Sequence, residues 1–142
     1  MLEKLRTALL RRSIRQILAN NLRRRRTHTI QSARSIGILF DATDEKDRKE
    51  VLHWAHILEE EQHKKMRLLG FVDNKQPLGQ TQFPQFTQKD LRWNGQPKGE
   101  GVDKFLTDPP DLLLCLNKNG ILPMNWVAVT SKAAMKIGTD SP

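Results

Sequence analysis

The segment Ser35-Ile36-Gly37-Ile38-Leu39-Phe40, followed at once by Asp41-Ala42-Thr43-Asp44, decides how this chain folds. The first run is too short for a helix and is bounded by polar turn formers, so it predicts a strand buried on both faces. Thr43 or Asp44 then supplies an amino-terminal cap for a helix from about Glu45 to Lys65. We therefore expect a buried strand that leads directly into a helix.

The same alternation of short apolar runs and helical patterns continues to the end of the chain. A strand, a helix and a second strand in succession imply two parallel neighbours, because crossover connections are right-handed. The pattern predicts an α/β fold, a small three-layer domain with about four mainly parallel strands in the order 2-1-3-4, like half of a flavodoxin-like sheet. The further predicted elements are strands 66–72, 111–116 and 134–137 and helices 102–106 and 123–132.

Residues 75–101 are rich in Gly, Pro and Gln, and we expect them to be mostly loop. Phe83, Phe86 and Trp93 are the apolar side chains expected to fix this loop to the core. A Trp followed by a turn and a lysine, as in Trp93 to Lys98, also has the elements needed to stack a base and contact a phosphate.

The net positive charge of the chain is confined to its first 34 residues. This segment, the arm, holds ten Lys or Arg and one acid, Glu3, whereas the remaining 108 residues hold 14 basic and 15 acidic side chains. The arm therefore carries +9 and the body −1. A run such as Arg23 to Arg26 exceeds what a solvated helix face needs and indicates a polyanionic partner.

The arm has the composition of a long helix, since residues 2–26 contain no Gly or Pro and are rich in Leu, Arg, Ala and Gln. An apolar row at Leu10, Ile14, Ile17 and Leu18 continues at Leu22. We predict two units, a basic helical arm at 1–34 and an α/β domain at 35–142.

Three interpretations of the arm compete. It is a structural helix packed on the body, an RNA-binding element whose guanidinium groups pair with phosphates, or an amphipathic helix on an anionic membrane surface. Arginine outnumbers lysine and no Trp or Phe anchor is present, which favours RNA. The predicted nucleic-acid-binding residues are Arg11, Arg12, Arg15, Arg23, Arg24, Arg25, Arg26 and Arg34.

Bulk composition excludes several classes of protein. No apolar run approaches the ~20 residues of a membrane span, and the start lacks the apolar stretch of a secretory signal. The Arg-rich start also resembles a mitochondrial transit peptide. One cysteine, Cys115, excludes an internal disulfide and fits a reducing compartment, and its apolar neighbours predict a small buried side chain.

Polar residues follow three predicted strands where ligands bind in open parallel sheets, at the carboxyl ends. Asp41, Asp73 and Asn117 occupy these positions, and Asp41 and Asp73 have the chemistry to hold Mg²⁺ or to act as acid and base. Asp and Asn also serve there as caps and turn formers. With Trp93 and Lys98 they form the candidate ligand edge of a small hydrolase or ligand-binding domain.

No known catalytic or cofactor motif is present in the sequence. The chain has no phosphate-binding loop and no dinucleotide fingerprint. His56, Glu60 and His63 share a helix face at a metal-ligand spacing, but they lack the signature of a zinc site and are typical of surface residues. We predict no cofactor, no metal and no catalytic residue.

Several strings together resemble a family of small uncharacterised proteins of Bacteroidota, classed as a domain of unknown function. They are Ser35 to Thr43, Gly70 to Asp73, Lys89 to Gly95, Asp111 to Asn117 and Ser131 to Ala133. The resemblance implies a bacterial cytoplasmic protein, disfavours the transit-peptide interpretation and implies a further strand beyond Pro142. It supplies no activity. The leading expectation is a non-enzymatic RNA-binding or ribosome-associated protein, with membrane attachment and ligand binding at Asp41 and Asp73 as alternatives.

Overall fold

The computed structural model describes residues 32–117 and 119–138, together with Leu5, Ala8 and Arg12. The predicted arm helix therefore lies almost entirely outside the described residues, and both this helix and the predicted domain boundary at residue 34 stay predictions. The described body alternates strands with helices. Its elements are β1 (Ser35–Asp41), α1 (Glu45–Gln62), β2 (Lys65–Val72), β3 (Gln85–Thr87), a 3₁₀ helix (Gln88–Asp90), α2 (Glu100–Thr107), β4 (Leu112–Leu116), α3 (Leu122–Thr130) and β5 (Met135–Gly138).

All five strands are parallel and lie in the order β3-β2-β1-β4-β5. The chain moves outward on one side of β1 through β2 and β3, then crosses back to β4 and β5. Right-handed connections place the helices of the two directions on opposite faces of the sheet. α1 covers one face, the front, while α2 and α3 cover the other, the back. The result is a three-layer α/β domain.

The turn between β1 and α1 is set by the predicted cap. The Asp44 carboxylate accepts a hydrogen bond from the Lys46 N–H at 3.0 Å, and Glu45 and Asp47 place negative charge in the first turn. α1 ends at Gln62 because His63 adopts a left-handed conformation with φ of 56°, and the Lys64 N–H then returns to the Leu58 carbonyl. Lys64 and Lys65 therefore belong to the entry of β2 rather than to the helix.

Side chains alternate between the two faces of β1, and each face builds its own core. Ile36, Ile38 and Phe40 point to the front, where α1 contributes three buried residues one turn apart, Val51, Ala55 and Leu58. Leu39 points to the back, where α2 and α3 contribute Val102, Phe105, Met124 and Val127. The strand is buried on both sides, as its unbroken apolar run predicts.

The segment between β2 and β3 folds back over the front of the sheet instead of forming a helix. Phe83 is buried there, with its ring 5.0 Å from that of Phe40 in an edge-to-face arrangement. The ring fits there only because Gly70 has no side chain, since a Cβ at that position would lie 2.6 Å from Phe83 and 2.9 Å from the Ala42 Cβ. Gly70 is therefore a packing requirement of β2.

The strands and helices predicted for residues 35–142 are all present, and the order predicted for the four strands is confirmed by β2-β1-β4-β5. The fifth strand, β3, was not predicted. It lies outside β2, so the order 3-2-1-4-5 is that of dinucleotide-binding sheets and the comparison with a flavodoxin-like sheet is wrong in this detail. Only three residues pair in β3, within a stretch whose Gly, Pro and Gln content is typical of loop.

We expect Gly70→Ala to destabilise the domain by about 1–3 kcal/mol, because the added methyl group overpacks the contact with Phe83. Urea unfolding should show a lower midpoint at an unchanged slope. Gly101→Ala is the matched control, since its Cβ would come no closer than 3.2 Å to any neighbour, the Pro84 Cβ, and we expect it within about 1 kcal/mol of wild type. Equal stability of the two variants would contradict this role of Gly70.

Lys136 in β5 lies beside Leu113, and its ammonium donates to the Val129 carbonyl at 3.1 Å. Burial lowers the pKa of Lys136 from 10.5 to about 8. Below pH 8 both folded and unfolded chains carry the charge, so its burial opposes folding. Between pH 8 and 10.5 the unfolded chain binds more protons, and stability rises with pH.

Lys136→Met should therefore raise the free energy of unfolding at pH 7 by about 1–2 kcal/mol, allowing for partial solvation of the group. The gain should shrink at pH 10, as measured by urea unfolding at the two pH values. Lys132→Met, at an exposed position, serves as the control. A gain of the same size at both pH values would show that the buried charge is not its cause.

Candidate functional site

The predicted ligand edge is at the carboxyl ends of the strands, where β1 and β2 end side by side. The Thr43 hydroxyl links them: it donates to Asp41 Oδ1 at 2.6 Å and accepts the Asp73 N–H at 2.8 Å. The Thr43 N–H also donates to Asp41 Oδ1 at 3.1 Å. The Asp73 carboxylate in turn accepts from the Gln88 amide at 2.7 Å. Asp41 and Asp73 thus lie on one edge of the sheet. Each carboxylate is hydrogen-bonded to a residue of a neighbouring loop or turn, Asp41 to Thr43 and Asp73 to Gln88.

The guanidinium of Arg48, in the first turn of α1, also binds the segment between β1 and α1. Its Nη1 donates to the carbonyls of Ala42 and Thr43, at 2.8 and 3.1 Å. The Ala42 N–H continues the ladder to the Phe71 carbonyl at 2.8 Å. The Arg48 guanidinium therefore holds the backbone of the turn that follows Asp41.

Asn117 ends β4 on this edge, but its side chain is buried and organises α3. The amide donates to the Ile121 carbonyl at 2.9 Å and to the Asn125 Oδ1 at 2.8 Å, and its oxygen accepts the Ile121 N–H at 2.8 Å. These bonds occupy both donors and one acceptor site of the Asn117 amide. They hold the start of α3, whose N-cap residue makes no side-chain hydrogen bond of its own. The geometry explains Asn117 as a structural residue of the β4–α3 turn.

Trp93 and Lys98 belong to a small hairpin of residues 91–98, the Trp93 loop, beyond the carboxyl end of β3. An isolated bridge joins Leu91 to Pro97, and the Arg92 N–H donates to the Gln96 carbonyl at 2.8 Å. Gly95 turns the chain with φ of 86°. Phe83 and Phe86 are buried as predicted, but the expectation that Trp93 fixes the loop to the core is wrong, because its side chain is 72% exposed.

The opposite edge, at the amino ends of the strands, is where the chain arrives from the arm. The Lys65 N–H donates to the Arg34 carbonyl at 3.0 Å, and the Lys64 ammonium donates to the Ala33 carbonyl at 2.6 Å. The Arg34 N–H donates to Asp111 Oδ2 at 2.9 Å. Three cations, Arg34, Lys64 and Lys65, therefore gather at the entry of β1.

Two of the predicted nucleic-acid-binding residues are among the described ones. Arg12 and Arg34 are exposed. The others, Arg11, Arg15, Arg23, Arg24, Arg25 and Arg26, lie outside the described residues. The contribution of Lys64 and Lys65 was not predicted, because the sequence pattern extends the preceding helix to Lys65, whereas the helix ends at Gln62. The signal was the parallel pairing of the first two strands, which brings their amino ends together.

The described residues give little support for a metal site, a reactive cysteine or a membrane span. Within residues 32–117 and 119–138, no group of three His, Cys, Asp or Glu could hold a metal ion, and His56, Glu60 and His63 are exposed. Cys115 is buried as predicted, and burial raises the pKa of its thiol to about 11. None of the helices in this part of the chain has the length and apolarity to cross a membrane.

A wide, shallow depression lies beside α2. It is lined by residues of α2 and by Arg67 of β2, whose guanidinium forms an ion pair with Asp108. The Arg67 side chain is partly exposed. This depression contains none of the residues predicted from the sequence.

A family assignment rests on nearly the whole length of the chain. The model of a family of unknown function, DUF6913, matches residues 6–142. The chain belongs to the DUF6913 family. The matched residues include the body and most of the arm. Comparison with curated proteins and with solved structures finds no match.

Asn117→Ala should destabilise this DUF6913 domain by about 2–3 kcal/mol, because the variant leaves the buried start of α3 without its hydrogen-bond partners. Chemical denaturation monitored by circular dichroism would measure the loss. Asn119→Ala, two residues on and exposed, is the control and should stay within about 0.5 kcal/mol of wild type. A neutral Asn117→Ala variant would refute the structural role and reopen Asn117 as a ligand residue.

Proposed function

We propose that this protein is a non-enzymatic RNA-binding or ribosome-associated protein of the bacterial cytoplasm. The arginine-rich arm contacts phosphates, and the α/β body docks against the RNA or its assembly. The observation that carries the proposal is the division of charge, +9 in residues 1–34 against −1 in the rest of the chain. Each guanidinium group can donate two hydrogen bonds to the oxygens of one phosphate, and its binding releases counterions from the nucleic acid.

The geometry of the body adds a second support. Lys64 and Lys65, at the point where Arg34 ends the arm, extend the positive charge of the arm onto the amino edge of the sheet. Asp111 accepts the Arg34 N–H, and its own N–H donates to the Ser35 hydroxyl at 2.9 Å, so the backbone at this junction is held firmly. A polyanion bound to the arm would meet further cations where the arm joins the body.

RNA is favoured over an anionic membrane by the kind of residues in the arm. Nine of its ten cations are arginines, and the arm contains no Trp, Tyr or Phe. Arginine suits bidentate phosphate recognition, whereas membrane-surface helices commonly use aromatic residues at the interface. The carboxyl-edge groups Asp41, Asp73 and Asn117 are engaged in holding loops, which accounts for them without a substrate.

The test replaces Arg23, Arg24, Arg25 and Arg26 by Gln in the full-length chain and measures binding to purified ribosomes and bulk RNA across a salt series. Loss of four phosphate contacts should reduce the slope of log K against log salt by about 3 and weaken binding most at low salt. Anionic liposomes form a parallel arm of the experiment.

A variant of equal charge provides the control. Lys46, Lys49, Lys75 and Lys104 are exposed residues of the body, and their change to Gln removes the same four charges. We expect this variant to keep the slope of wild type to within about 1. Equal losses in the two variants would reduce the effect to net charge, and binding to liposomes but not to RNA would replace the proposal with membrane attachment.

A further inference from the structure

The Trp93 loop displays a large aromatic side chain to solvent on a firmly held backbone. Trp93 is 72% exposed, and its indole is the most exposed of the large apolar side chains described. Burial is the usual state of a tryptophan, because its ring offers more apolar surface to the core than any other. An exposed Trp at the tip of a hairpin therefore calls for an explanation outside the core.

Hydrogen bonds at every level of the loop limit its movement. The Gly95 N–H donates to the Arg92 carbonyl and the Gln96 N–H to Asn94 Oδ1, at 2.8 and 3.1 Å. At the base, the Lys98 N–H donates to the Asp90 carbonyl at 2.7 Å. A rigid loop presents its ring at little entropic cost when a flat ligand binds.

The base of the loop is itself tied to β3. The carboxylate of Asp90 accepts the Thr87 N–H at 2.8 Å, and the Thr87 hydroxyl accepts the Lys89 N–H at 3.2 Å, which together cap the 3₁₀ helix. Thr87 is buried and ends the strand. The orientation of the loop is thus fixed by the sheet.

Three exposed cations lie in the Trp93 loop and the turn that leads into it. Lys89, Arg92 and Lys98 are exposed, and residues 88–98 contain one acid, Asp90, whose carboxylate is occupied with Thr87. The loop therefore presents an aromatic face among positive charges. This pairing suits a ligand with a flat ring and a nearby phosphate, which is the chemistry of an unpaired nucleotide.

We infer that the Trp93 loop is a second RNA contact, at which Trp93 stacks an unpaired base while Lys89, Arg92 and Lys98 bind the adjacent phosphates. The inference rests on the proposed RNA-binding function and names the class of RNA that the body recognises, a single-stranded segment. Duplex RNA keeps its bases stacked internally and offers none to the indole.

The test compares full-length wild type, Trp93→Ala and Trp93→Phe in binding a single-stranded oligouridylate and an RNA duplex of equal length. Trp93→Ala should lose about five- to a hundredfold in affinity for the single strand and little for the duplex. Trp93→Phe should retain most of the affinity, because stacking needs only an aromatic face.

Trp54→Ala is the matched control. Trp54 is 61% exposed on α1, away from the Trp93 loop, and its removal should leave both affinities unchanged. Direct evidence comes from fluorescence, since Trp54→Phe with Trp126→Phe leaves Trp93 as the sole tryptophan of the chain. Oligouridylate should quench its emission as the base stacks.

The outcomes separate this inference from the proposed function. If Trp93→Ala binds the single strand like wild type while the Arg23 to Arg26 variant loses affinity, the inference is wrong and the proposed function stands. Equal losses of Trp93→Ala on single strand and duplex, or emission unchanged by oligouridylate, would also overturn the inference. If wild type binds neither oligouridylate nor the duplex but still binds ribosomes or bulk RNA, the inference is wrong and the proposed function stands. If it binds none of them, both are wrong.

Discussion

Both edges of β1 are hydrogen-bonded, to β2 along Ser35–Asp41 and to β4 along Ile36–Phe40, and the rest of the domain depends on this double pairing. A strand paired on both sides and covered on both faces has no position for a polar side chain until it ends. Asp41 comes at that end, so the first carboxylate appears where the ladder stops. The turn that follows is then closed by Thr43 and Arg48, which fix the neighbouring ends of β1 and β2 together.

The sequence predicted the elements with a strong local signal and missed the one that depends on a partner. β1, β2 and β4 are apolar runs bounded by turn residues, and α1 carries its cap in Asp44, so each is recognisable alone. β3 is three residues long and forms because it pairs with Gly70 to Val72 and because Phe86 packs against Phe71, with ring centroids 4.8 Å apart. Neither partner is visible from within residues 85–87.

The candidate site was predicted in composition but not in the roles of its residues. Neighbouring parallel strands were enough to bring Asp41 and Asp73 to one edge. The bonds of Asn117 to residues 121 and 125 follow from the tight turn into α3, and no spacing rule announces them. The exposure of Trp93 could not be read from its neighbours, since a loop rich in Gly and Pro is as compatible with a buried ring as with an exposed one. The gathering of Lys64 and Lys65 at Arg34 depended on where α1 ends.

The two positively charged surfaces of the body face opposite ends of the strands. Arg34 precedes the first residue of β1, and the Trp93 loop lies beyond the carboxyl end of β3, two strands away, so the seven residues of β1 set their separation along the strand direction. At about 3.3 Å per residue this is about 23 Å along the strand direction. A nucleic acid that contacts both surfaces at once must therefore be longer than this distance, and a single nucleotide can occupy only one of the two surfaces.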